Sequence, residues 1–369
     1  MLTPGELLHF RKNLLAWFVQ FQRHLPWRRT KDPYRVWISE IMLQQTRVAA
    51  AIPYYERFLE RFPDVKTLAE APDEDVLRLW SGLGYYSRAR NLQKAAREIA
   101  FKHSGIFPPV EKEALDLPGI GKYTAAAILS IAYGKKLAVV DGNVARVIAR
   151  LNAVRGDLHA ANRWQQLQES ADAMLAPEAP GDWNQAMMEL GATLCTPRAP
   201  QCLICPVNKF CQARKLGLAK TIPEKRKERS TVELTLASLV LVDRQGHTLL
   251  LAPPRISSKS AHTSDVAALV SRLWHFPTLA VQKNATRELR QYFEQMIIPG
   301  RKLAAKLTPL EKVRHAVTYR SITLLPFRAM VRKLPRVTTA KSLPLSDFSS
   351  VPISSLTRKV ARMALFKSN

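Results

Sequence analysis

The chain has 369 residues, enough for two domains with sizeable cores, and its 47% of hydrophobic residues excludes a disordered basic tail. Lysine and arginine number 56 against 30 acidic residues, and the formal net charge of +26 indicates a polyanionic partner or a membrane surface. No stretch approaches the roughly 18 unbroken apolar residues of a membrane span, and the N-terminus lacks the features of a secretory signal. We therefore expect a globular, soluble and cytoplasmic protein, and because no basic amphipathic helix stands out, we do not expect a membrane surface as its partner.

The first part of the chain carries helical signals. An amphipathic helix is expected at the N-terminus, and Asp32 followed by Pro33 is a helix cap that begins a helix over residues 34–45. Short turns with glycine or proline separate the next predicted helices, which cover residues 73–80, 87–101, 123–133, 142–151 and 162–176. Residues 1–220 are therefore predicted to form an all-α domain.

A charged segment, residues 221–230, follows these helices and lacks apolar periodicity, which is typical of a solvated linker. It separates a part with net charge +9 (residues 1–220) from a part with net charge +17 (residues 221–369). We place the domain boundary at this linker.

Beyond the linker the hydrophobic period changes to that of strands, so residues 231–369 are predicted to form an α+β domain. The predicted strands cover 231–242, 248–251 and 317–329, the predicted helices 286–296 and 356–366, and the predicted loops 253–265 and 340–355.

All four cysteines fall within 17 residues, at Cys195, Cys202, Cys205 and Cys211. The lack of cysteine elsewhere excludes a disulfide framework and indicates metal ligation in a reducing compartment. Four thiolates suit a [4Fe–4S] cluster or tetrahedral zinc, and the spacing is not that of paired zinc-ribbon cysteines, which favours the [4Fe–4S] cluster. In the same loop, Arg198 and Lys209 are either phosphate contacts or ordinary surface charges.

The segment Leu117-Pro-Gly-Ile-Gly121 lies between two predicted helices and precedes Lys122. At a hairpin tip, Gly119 and Gly121 would let backbone N–H groups approach a phosphate oxygen. An ordinary helix connector has a similar composition, but the basic character of the chain favours phosphate binding.

Two carboxylates are candidate catalytic groups. Glu40 is flanked by apolar residues on its helix, so it is either paired or has a raised pKa suited to donating a proton, unless it lies on a solvated face. Asp141 follows an apolar run and precedes a helix, so it is either a helix cap or a carboxylate that stabilises a cationic transition state.

Amide and aromatic side chains form a further group. Gln44 and Gln45 end the first capped helix, and Tyr85 lies close to Arg88 and Arg90. Amides can fill a gap in a base stack, aromatics can wedge between bases and arginines can hold phosphates, although Gly-Tyr pairs also fill protein cores.

Together these motifs resemble the helix-hairpin-helix DNA glycosylases, specifically the adenine DNA glycosylases of the MutY family. The resemblance covers nearly all of residues 10–220, and its motifs follow the family order. They are Leu25-Pro-Trp-Arg28, Ser39-Glu-Ile-Met-Leu-Gln-Gln-Thr46, Gly82-Leu-Gly-Tyr-Tyr86, Leu117-Pro-Gly-Ile-Gly121, Val140-Asp-Gly-Asn143, Asn184-Gln-Ala-Met-Met-Glu-Leu-Gly191 and the cysteine loop. Residues 231–369 are more weakly similar to the Nudix-like lesion-recognition domain of that family, through Leu273-Trp-His-Phe-Pro277 and Val313-Arg-His-Ala-Val-Thr-Tyr319.

The resemblance implies excision of adenine mispaired with 8-oxoguanine or guanine in duplex DNA, on a base flipped out of the stack. Glu40 would be the general acid that protonates adenine, and Asp141 would stabilise the oxocarbenium-like sugar. Tyr123 and Asn143 would orient Glu40 and Asp141, respectively.

The resemblance also implies binding roles. The adenine pocket would be shaped by Trp27, Arg28, Leu43 and Glu189, the space left in the duplex would be filled by Gln44, Gln45 and Tyr85, and the phosphate backbone would be held by Gly119, Gly121 and Lys122. The four cysteines would hold a [4Fe–4S] cluster. The lesion-reading loop has Thr318 and Tyr319 where the family usually has Ser-His, and the replacement of histidine by tyrosine weakens the expected 8-oxoguanine discrimination.

The residue at position 123 distinguishes a glycosylase from a glycosylase that also cleaves the DNA strand. In the endonuclease III relatives a lysine at the position of Tyr123 forms the Schiff base that cleaves the strand, and a phenol cannot form an imine. We therefore predict a monomeric, nucleoid-associated and monofunctional glycosylase. The alternatives are an endonuclease III-like glycosylase and lyase acting on oxidised pyrimidines, and a non-catalytic DNA-damage-binding scaffold.

Overall fold

The computed structural model describes residues 2–158, 160–224, 231–253, 273–317 and 320–366. The chain divides into two compact units, of which the first comprises Met1–Ala71 and Ser87–Lys227 and the second comprises Pro72–Tyr86 and Glu228–Asn369. Residues 225–230 of the predicted linker and residues 254–265 of the first predicted loop lie outside the described residues.

The helices of the N-terminal part are α1 (Pro4–Phe21), α2 (Pro33–Leu43), α3 (Val48–Arg61), α4 (Val65–Glu70), α5 (Asp73–Trp80), α6 (Ser87–Lys102), α7 (Glu111–Asp116), α8 (Lys122–Tyr133), α9 (Gly142–Leu151), α10 (Ala161–Met174), α11 (Pro180–Thr193) and α12 (Gln212–Lys215). The six helices predicted with bounds begin and end within about two residues of those bounds, and the N-terminal helix is present, whereas α3, α4, α7, α11 and α12 were not predicted. All except α5 belong to the first unit. The described residues of that unit contain no strand, which confirms the prediction of an all-α domain.

Local sequence determines where these helices begin. The Asp32 carboxylate accepts the Tyr34 N–H at the start of α2, and the Asp141 carboxylate accepts the Val144 N–H at the start of α9. Helix α8 is alanine-rich and buried from Thr124 to Ser130, so its backbone packs closely between α2 and α11. This packing brings the first turn of α8 next to α2.

The second unit is built on a mixed sheet, which confirms its α+β class. Its strands are β1 (Val232–Val242), β2 (His247–Leu251), β3 (Thr278–Ala280), β4 (Thr308–Pro309), β5 (Val313–Val317), β6 (Arg320–Met330) and β7 (Ala340–Pro344). β1 pairs with β6 in parallel along its whole length, from Val232 opposite Arg320 to Val242 opposite Met330. The main path of the sheet runs β4-β6-β1-β2-β7.

Helices α13 (Ala285–Tyr292) and α14 (Ser355–Phe366) pack on this sheet. The side chains of Leu289 and Phe293 join one apolar cluster on β1, and those of Val360 and Ala364 join another. The sheet therefore has a hydrophobic core on each face.

One prediction in this unit is wrong. Residues 340–344 were expected to lie in a loop but form β7, which pairs antiparallel with β2 at the sheet edge. The strand is solvated, with Lys341 and Ser342 exposed, so backbone pairing rather than an apolar pattern determines its conformation. Among the described residues, none of the helices has the length and apolar character needed to cross a bilayer.

Candidate active site

A cavity of about 460 Å³ lies inside the first unit, between α2, α8, α9 and α11. Ten of the predicted site residues line it: Trp27, Arg28, Glu40, Leu43, Gln44, Gln45, Tyr123, Asp141, Asn143 and Glu189. The four residues to which catalysis was assigned therefore line one cavity.

Glu40 is nearly buried, with 6% of its surface exposed, and lies on α2. The Tyr123 hydroxyl, in the first turn of α8, donates a 2.8 Å hydrogen bond to Glu40 Oε2 and also lies 3.4 Å from Met188 Sδ. The phenol is therefore held between the carboxylate and a thioether.

Burial raises the pKa of Glu40 to about 7, against an opposing effect of the Tyr123 hydrogen bond, while the charge of Asp141 raises the pKa further and that of Arg28 lowers it. Burial also raises the pKa of Tyr123 well above its usual value, so the phenol stays protonated and remains a donor. A carboxyl group that titrates near neutral pH can both donate and accept a proton.

Asp141 is the cap of α9 and also faces the cavity. Its Oδ1 accepts the Val144 N–H at 2.7 Å, and its Oδ2 accepts the Asn143 side-chain amide at 3.1 Å. The cap interpretation and the catalytic interpretation are thus compatible, because the hydrogen bonds of the cap fix the direction of the carboxylate.

Arg146 holds Asn143 in place. Its Nη2 donates to Asn143 Oδ1 at 2.8 Å and to the Gly191 carbonyl at 2.9 Å, and its Nε donates to the Cys195 carbonyl at 2.9 Å. A Cβ on Gly191 would lie 2.8 Å from the Asn143 Cβ, so only glycine allows this approach of α11 to α9. Asp141 is thereby connected to the start of the cysteine loop through two side chains.

Glu189 is 1% exposed and forms ion pairs with two arginines. Arg23 Nε and Nη2 each donate to it at 2.7 Å, and Arg28 Nη2 donates at 2.8 Å. Burial alone would raise the pKa of Glu189, but the hydrogen bonds from Arg23 and Arg28 outweigh it and hold the pKa at about 2. Glu189 is therefore a permanent anion on the cavity wall.

The hairpin between α7 and α8 has an exposed tip. Gly119 has a φ of +81°, and a Cβ there would lie 2.7 Å from the Asn91 Cβ, so internal packing already requires this glycine. Gly121 has neither constraint, and the space beside it is open. It caps α8 next to exposed Lys122, so the space beside the helix start is open.

The four cysteines line one small cavity next to Arg150. Arg150 is 1% exposed and its Nη1 donates to Cys195 Sγ at 3.2 Å and to the Thr196 carbonyl at 2.8 Å. Burial, together with the other thiols, raises the pKa of Cys205 to about 12.

Within the described ranges, no group of three or more His, Cys, Asp or Glu side chains is placed to hold a metal ion. The cysteines thus surround a space without converging on one point. Four soft thiol donors around one cavity are the ligand type that an iron–sulfur cluster or a zinc ion takes.

The sequence was compared with known proteins. Residues 38–173 match the HhH-GPD superfamily of base excision DNA repair proteins. The adenine DNA glycosylase of Mus musculus is 33% identical over 403 aligned residues, which cover 97% of this chain and 78% of the mouse protein. The chain belongs to the adenine DNA glycosylase family. The resemblance inferred from the motifs is confirmed, and the mouse alignment extends across both units of the chain.

Other family members match over shorter stretches. The adenine DNA glycosylase of Homo sapiens is 47% identical over 220 residues, covering 57% of this chain and 40% of the human protein. The match therefore spans less than half the length of that relative. A solved structure of a thermostable thymine-DNA glycosylase is 31% identical, covers 57% of this chain and 98% of the other, and gives a TM-score of 0.53.

Some of the predicted site residues lie outside the cavity. Tyr85 has a φ of +48°, is 43% exposed and belongs to the second unit. Thr318 and Tyr319 lie outside the described residues. The hypothesis that Arg88 holds a phosphate is wrong: Arg88 is 9% exposed, and its Nη1 donates to the Ile41 and Met42 carbonyls at the end of α2.

Several cavity residues were not predicted. On α2 they extend the face of Glu40, and on α11 they extend the face of Glu189; these residues are Val36, Ser39, Gln185, Met188 and Ala192. With the two glutamates and Leu43 they follow the i, i+3, i+4, i+7 spacing of one helix face, which is a signal that the sequence contains. Arg23 lies in the loop after α1, where no periodicity marks it.

Proposed function

We propose that the chain is a monofunctional adenine DNA glycosylase of base excision repair, which hydrolyses the N-glycosidic bond of adenine paired with 8-oxoguanine or guanine. The observation that carries this proposal is that Glu40 and Asp141 line the same cavity in different surroundings. Glu40 is buried and titrates near pH 7, whereas the Asp141 oxygens are held by a backbone N–H and an amide. Two such carboxyl groups provide an acid and a cation stabiliser.

In the proposed reaction, protonated Glu40 donates its proton to a ring nitrogen of the flipped adenine, and the bond between the base and the sugar breaks. The electron pair of that bond leaves with adenine, and Asp141 stabilises the positive charge that develops on the sugar. Glu40, now a carboxylate, accepts a proton from the attacking water. The products are free adenine and an abasic site, and Glu40 is protonated again.

Other residues of the cavity are proposed to hold the base and the backbone. The Arg28–Glu189 ion pair lines the same cavity as Trp27 and Leu43. This arrangement of charged and apolar side chains supports their assignment to the adenine pocket. Gln44 and Gln45 follow α2 and line the cavity. The Gln44 amide donates to Thr124 Oγ1, and Gln45 has a φ of +57°. These positions support their proposed role of filling the space that the flipped adenine leaves in the duplex. The open space at Gly121 beside Lys122 supports phosphate binding by the hairpin.

Two further assignments belong to the proposal. The cysteines hold a [4Fe–4S] cluster, supported by the soft donor set around one cavity, and this cluster keeps the loop of residues 195–211 folded. Thr318 and Tyr319 read the base opposite adenine, and Tyr85 presses beside it, supported by the family motifs alone. DNA as substrate implies a cytoplasmic, nucleoid-associated enzyme, and we expect it to act as a monomer.

The assay that tests this function measures the base released from matched duplexes. Adenine should be released from duplexes with A:8-oxoguanine and A:G pairs, and no base should be released from A:T or thymine glycol duplexes. Release from thymine glycol alone would contradict the proposal. Borohydride trapping on thymine glycol duplexes tests the lyase alternative, since Tyr123 cannot form the imine and only Lys122 lies next to it in sequence.

A further inference from the structure

The loop that carries Tyr85, residues 82–86, follows α5 and belongs to the second unit. Its backbone has three left-handed conformations, because Gly82, Gly84 and Tyr85 have φ values of +110°, +74° and +48°. Of these three residues only Tyr85 has a Cβ, and a residue with a side chain keeps a positive φ where the surrounding structure fixes it. The contacts of this loop therefore determine how the part-exposed ring of Tyr85 is presented.

Two hydroxyl groups attach the loop to the chain just before α14. Those of Ser81 and Tyr86 donate to one acceptor, the Ile353 carbonyl oxygen, at 2.9 and 3.2 Å. A carbonyl oxygen has two lone pairs, so both hydrogen bonds form together. The Tyr86 hydroxyl also accepts the Gly82 N–H at 3.3 Å, which links the two ends of the loop. Both ends are thus held at one point of the second unit.

Ile353 is a fixed point of attachment. Its side chain is buried in the same apolar cluster as Trp274, and the backbones of these two residues form a parallel bridge. On its other side, Ser354 Oγ accepts the Thr357 N–H at 3.0 Å in the first turn of α14. The position of the Ile353 carbonyl is therefore set by the core of the second unit on one side and by a helix start on the other.

Arg358, also near the start of α14, completes the attachment. Its Nη2 donates to Ser81 Oγ at 3.2 Å, while the same hydroxyl donates to the Ile353 carbonyl. Hydrogen bonds in such a chain polarise and strengthen each other. The guanidinium thus stabilises the attachment of the loop from a side chain that is exposed.

Helix α14 also contacts a strand next to the residues assigned to reading the opposite base. It packs on β5, and Val360 of the helix and Val313 of the strand belong to one apolar cluster. Residues 318–319 directly follow β5 in the sequence. One helix therefore supports both the strand before these residues and the loop that carries Tyr85.

We propose that Ser81 and Arg358 are positioning residues for Tyr85, which they hold, through the Ile353 carbonyl, in the conformation in which its ring enters the base stack. The inference rests on the proposed function for the role of Tyr85 in the duplex. A ring that is fixed before binding loses less conformational entropy when it inserts between bases, so the attachment increases affinity for DNA. Arg358 then acts through Tyr85 and not as a phosphate contact.

Hydrogen exchange of the full chain without DNA tests the attachment. In Arg358→Ala and in Ser81→Ala we expect the amides of residues 82–86 to exchange about tenfold faster than in the wild type, with β1 unchanged. Arg362→Ala is the matched control, because it removes the same charge from an exposed position one turn further along α14, and it should exchange like the wild type. Wild-type exchange of the loop in the first two variants, or equal acceleration in the control, would overturn the inference.

A double-mutant cycle tests whether Arg358 acts through Tyr85. Dissociation constants are measured for an A:8-oxoguanine duplex in a Glu40→Gln background. We expect Tyr85→Ala to weaken binding about 5- to 100-fold, as the loss of one base–aromatic stack does, and Arg358→Ala to weaken it about 3- to 30-fold. In the Tyr85→Ala background, Arg358→Ala should cause less than about a twofold further loss. Losses that multiply, or wild-type affinity in Tyr85→Ala, would overturn the inference.

The salt dependence of binding distinguishes positioning from direct phosphate contact. Each lost phosphate contact lowers the slope of log affinity against log salt by about 0.9 in magnitude, whereas positioning leaves the slope unchanged. A slope lowered by about 0.9 in Arg358→Ala, with wild-type affinity in Ser81→Ala, would overturn the inference in favour of a phosphate contact. The inference and the proposed function fail separately. A protein that shows the expected exchange and coupling but releases no adenine contradicts only the function, and an adenine-releasing protein whose losses multiply contradicts only the inference.

Discussion

Tyr123 donates a 2.8 Å hydrogen bond to Glu40 and thereby lowers the pKa of a carboxyl group that burial raises. The two effects oppose each other and leave the pKa of Glu40 at about 7. Tyr123 therefore sets the pH range in which Glu40 is protonated as well as its orientation.

Replacing Tyr123 with phenylalanine should shift the pH dependence of adenine release. Because the hydrogen bond stabilises the carboxylate, its loss raises the pKa of Glu40, and the acid stays protonated to higher pH. We expect the alkaline limb of the single-turnover rate to move up by about one pH unit, with a lower maximum because Glu40 is less well oriented. A limb that stays at the wild-type pH, or moves down, would show that Tyr123 does not act on Glu40.

Replacing Glu40 with glutamine should stabilise the fold at alkaline pH. A carboxyl group whose pKa rises from 4.5 to about 7 on folding destabilises the native state increasingly between those pH values, and by a constant amount above them. The full effect is about 3 kcal/mol at 1.36 kcal/mol per pKa unit. Urea unfolding of the variant and the wild type at pH 8 and pH 5 measures this effect. The free energy of unfolding of Glu40→Gln should exceed that of the wild type by about 1–3 kcal/mol at pH 8, and the difference should shrink towards pH 5. Exposed Glu60→Gln is the control and should show no gain.

The helical framework and the catalytic pair could be predicted because both depend on local sequence. Asp32 with Pro33 marks the start of α2, and the apolar flanks of Glu40 mark it as a buried carboxylate. The raised pKa of Glu40 was expected for the same reason. The partner of Glu189 was not predictable, because Arg23 lies 166 residues away in a loop and is brought to α11 only by tertiary packing.

Replacing Glu189 with glutamine should destabilise the first unit. The change leaves Arg23 and Arg28 without their anion, and breaking a buried ion pair typically costs about 3–5 kcal/mol; since Arg23 is partly exposed, we expect about 2–4 kcal/mol. The pKa of about 2 predicts that this contribution is present above about pH 4.5 and is lost as the pH falls towards 2. Urea unfolding at pH 7 and at about pH 2.5 checks both statements, with exposed Glu178→Gln as the control. A loss below 1 kcal/mol at pH 7 would contradict the importance of the pair.

Replacing Arg146 with lysine should slow catalysis without weakening DNA binding. Lysine cannot bridge Asn143, Gly191 and Cys195 at once, so Asn143 loses the contact that aims its amide at Asp141. We expect the single-turnover rate to fall about 10- to 100-fold, with the dissociation constant within about threefold of the wild type. Arg155→Lys, at an exposed position beyond α9, should leave the rate unchanged. An equal rate in both variants would remove Arg146 from its positioning role.

In the second unit, less could be predicted because pairing between distant segments decides the structure. β7 lacks an apolar pattern and becomes a strand only because β2 offers its backbone groups. The segment Pro72–Tyr86 was predicted within the helical domain, but contacts across the sequence place it in the second unit, where Ser81 Oγ donates to the Ile353 carbonyl at 2.9 Å. Neither the pairing of β7 with β2 nor the assignment of residues 72–86 to the second unit is marked by the local amino-acid sequence.

The most direct test of the two-carboxylate site is the single-turnover rate of adenine release from an A:8-oxoguanine duplex by Glu40→Gln and Asp141→Asn. We expect each variant to bind the duplex within about threefold of the wild type and to release adenine at least about 10³-fold more slowly, because each removes a group that acts in the transition state. A near-wild-type rate in either variant would contradict the assignment of the cavity as the place where the glycosidic bond is cut.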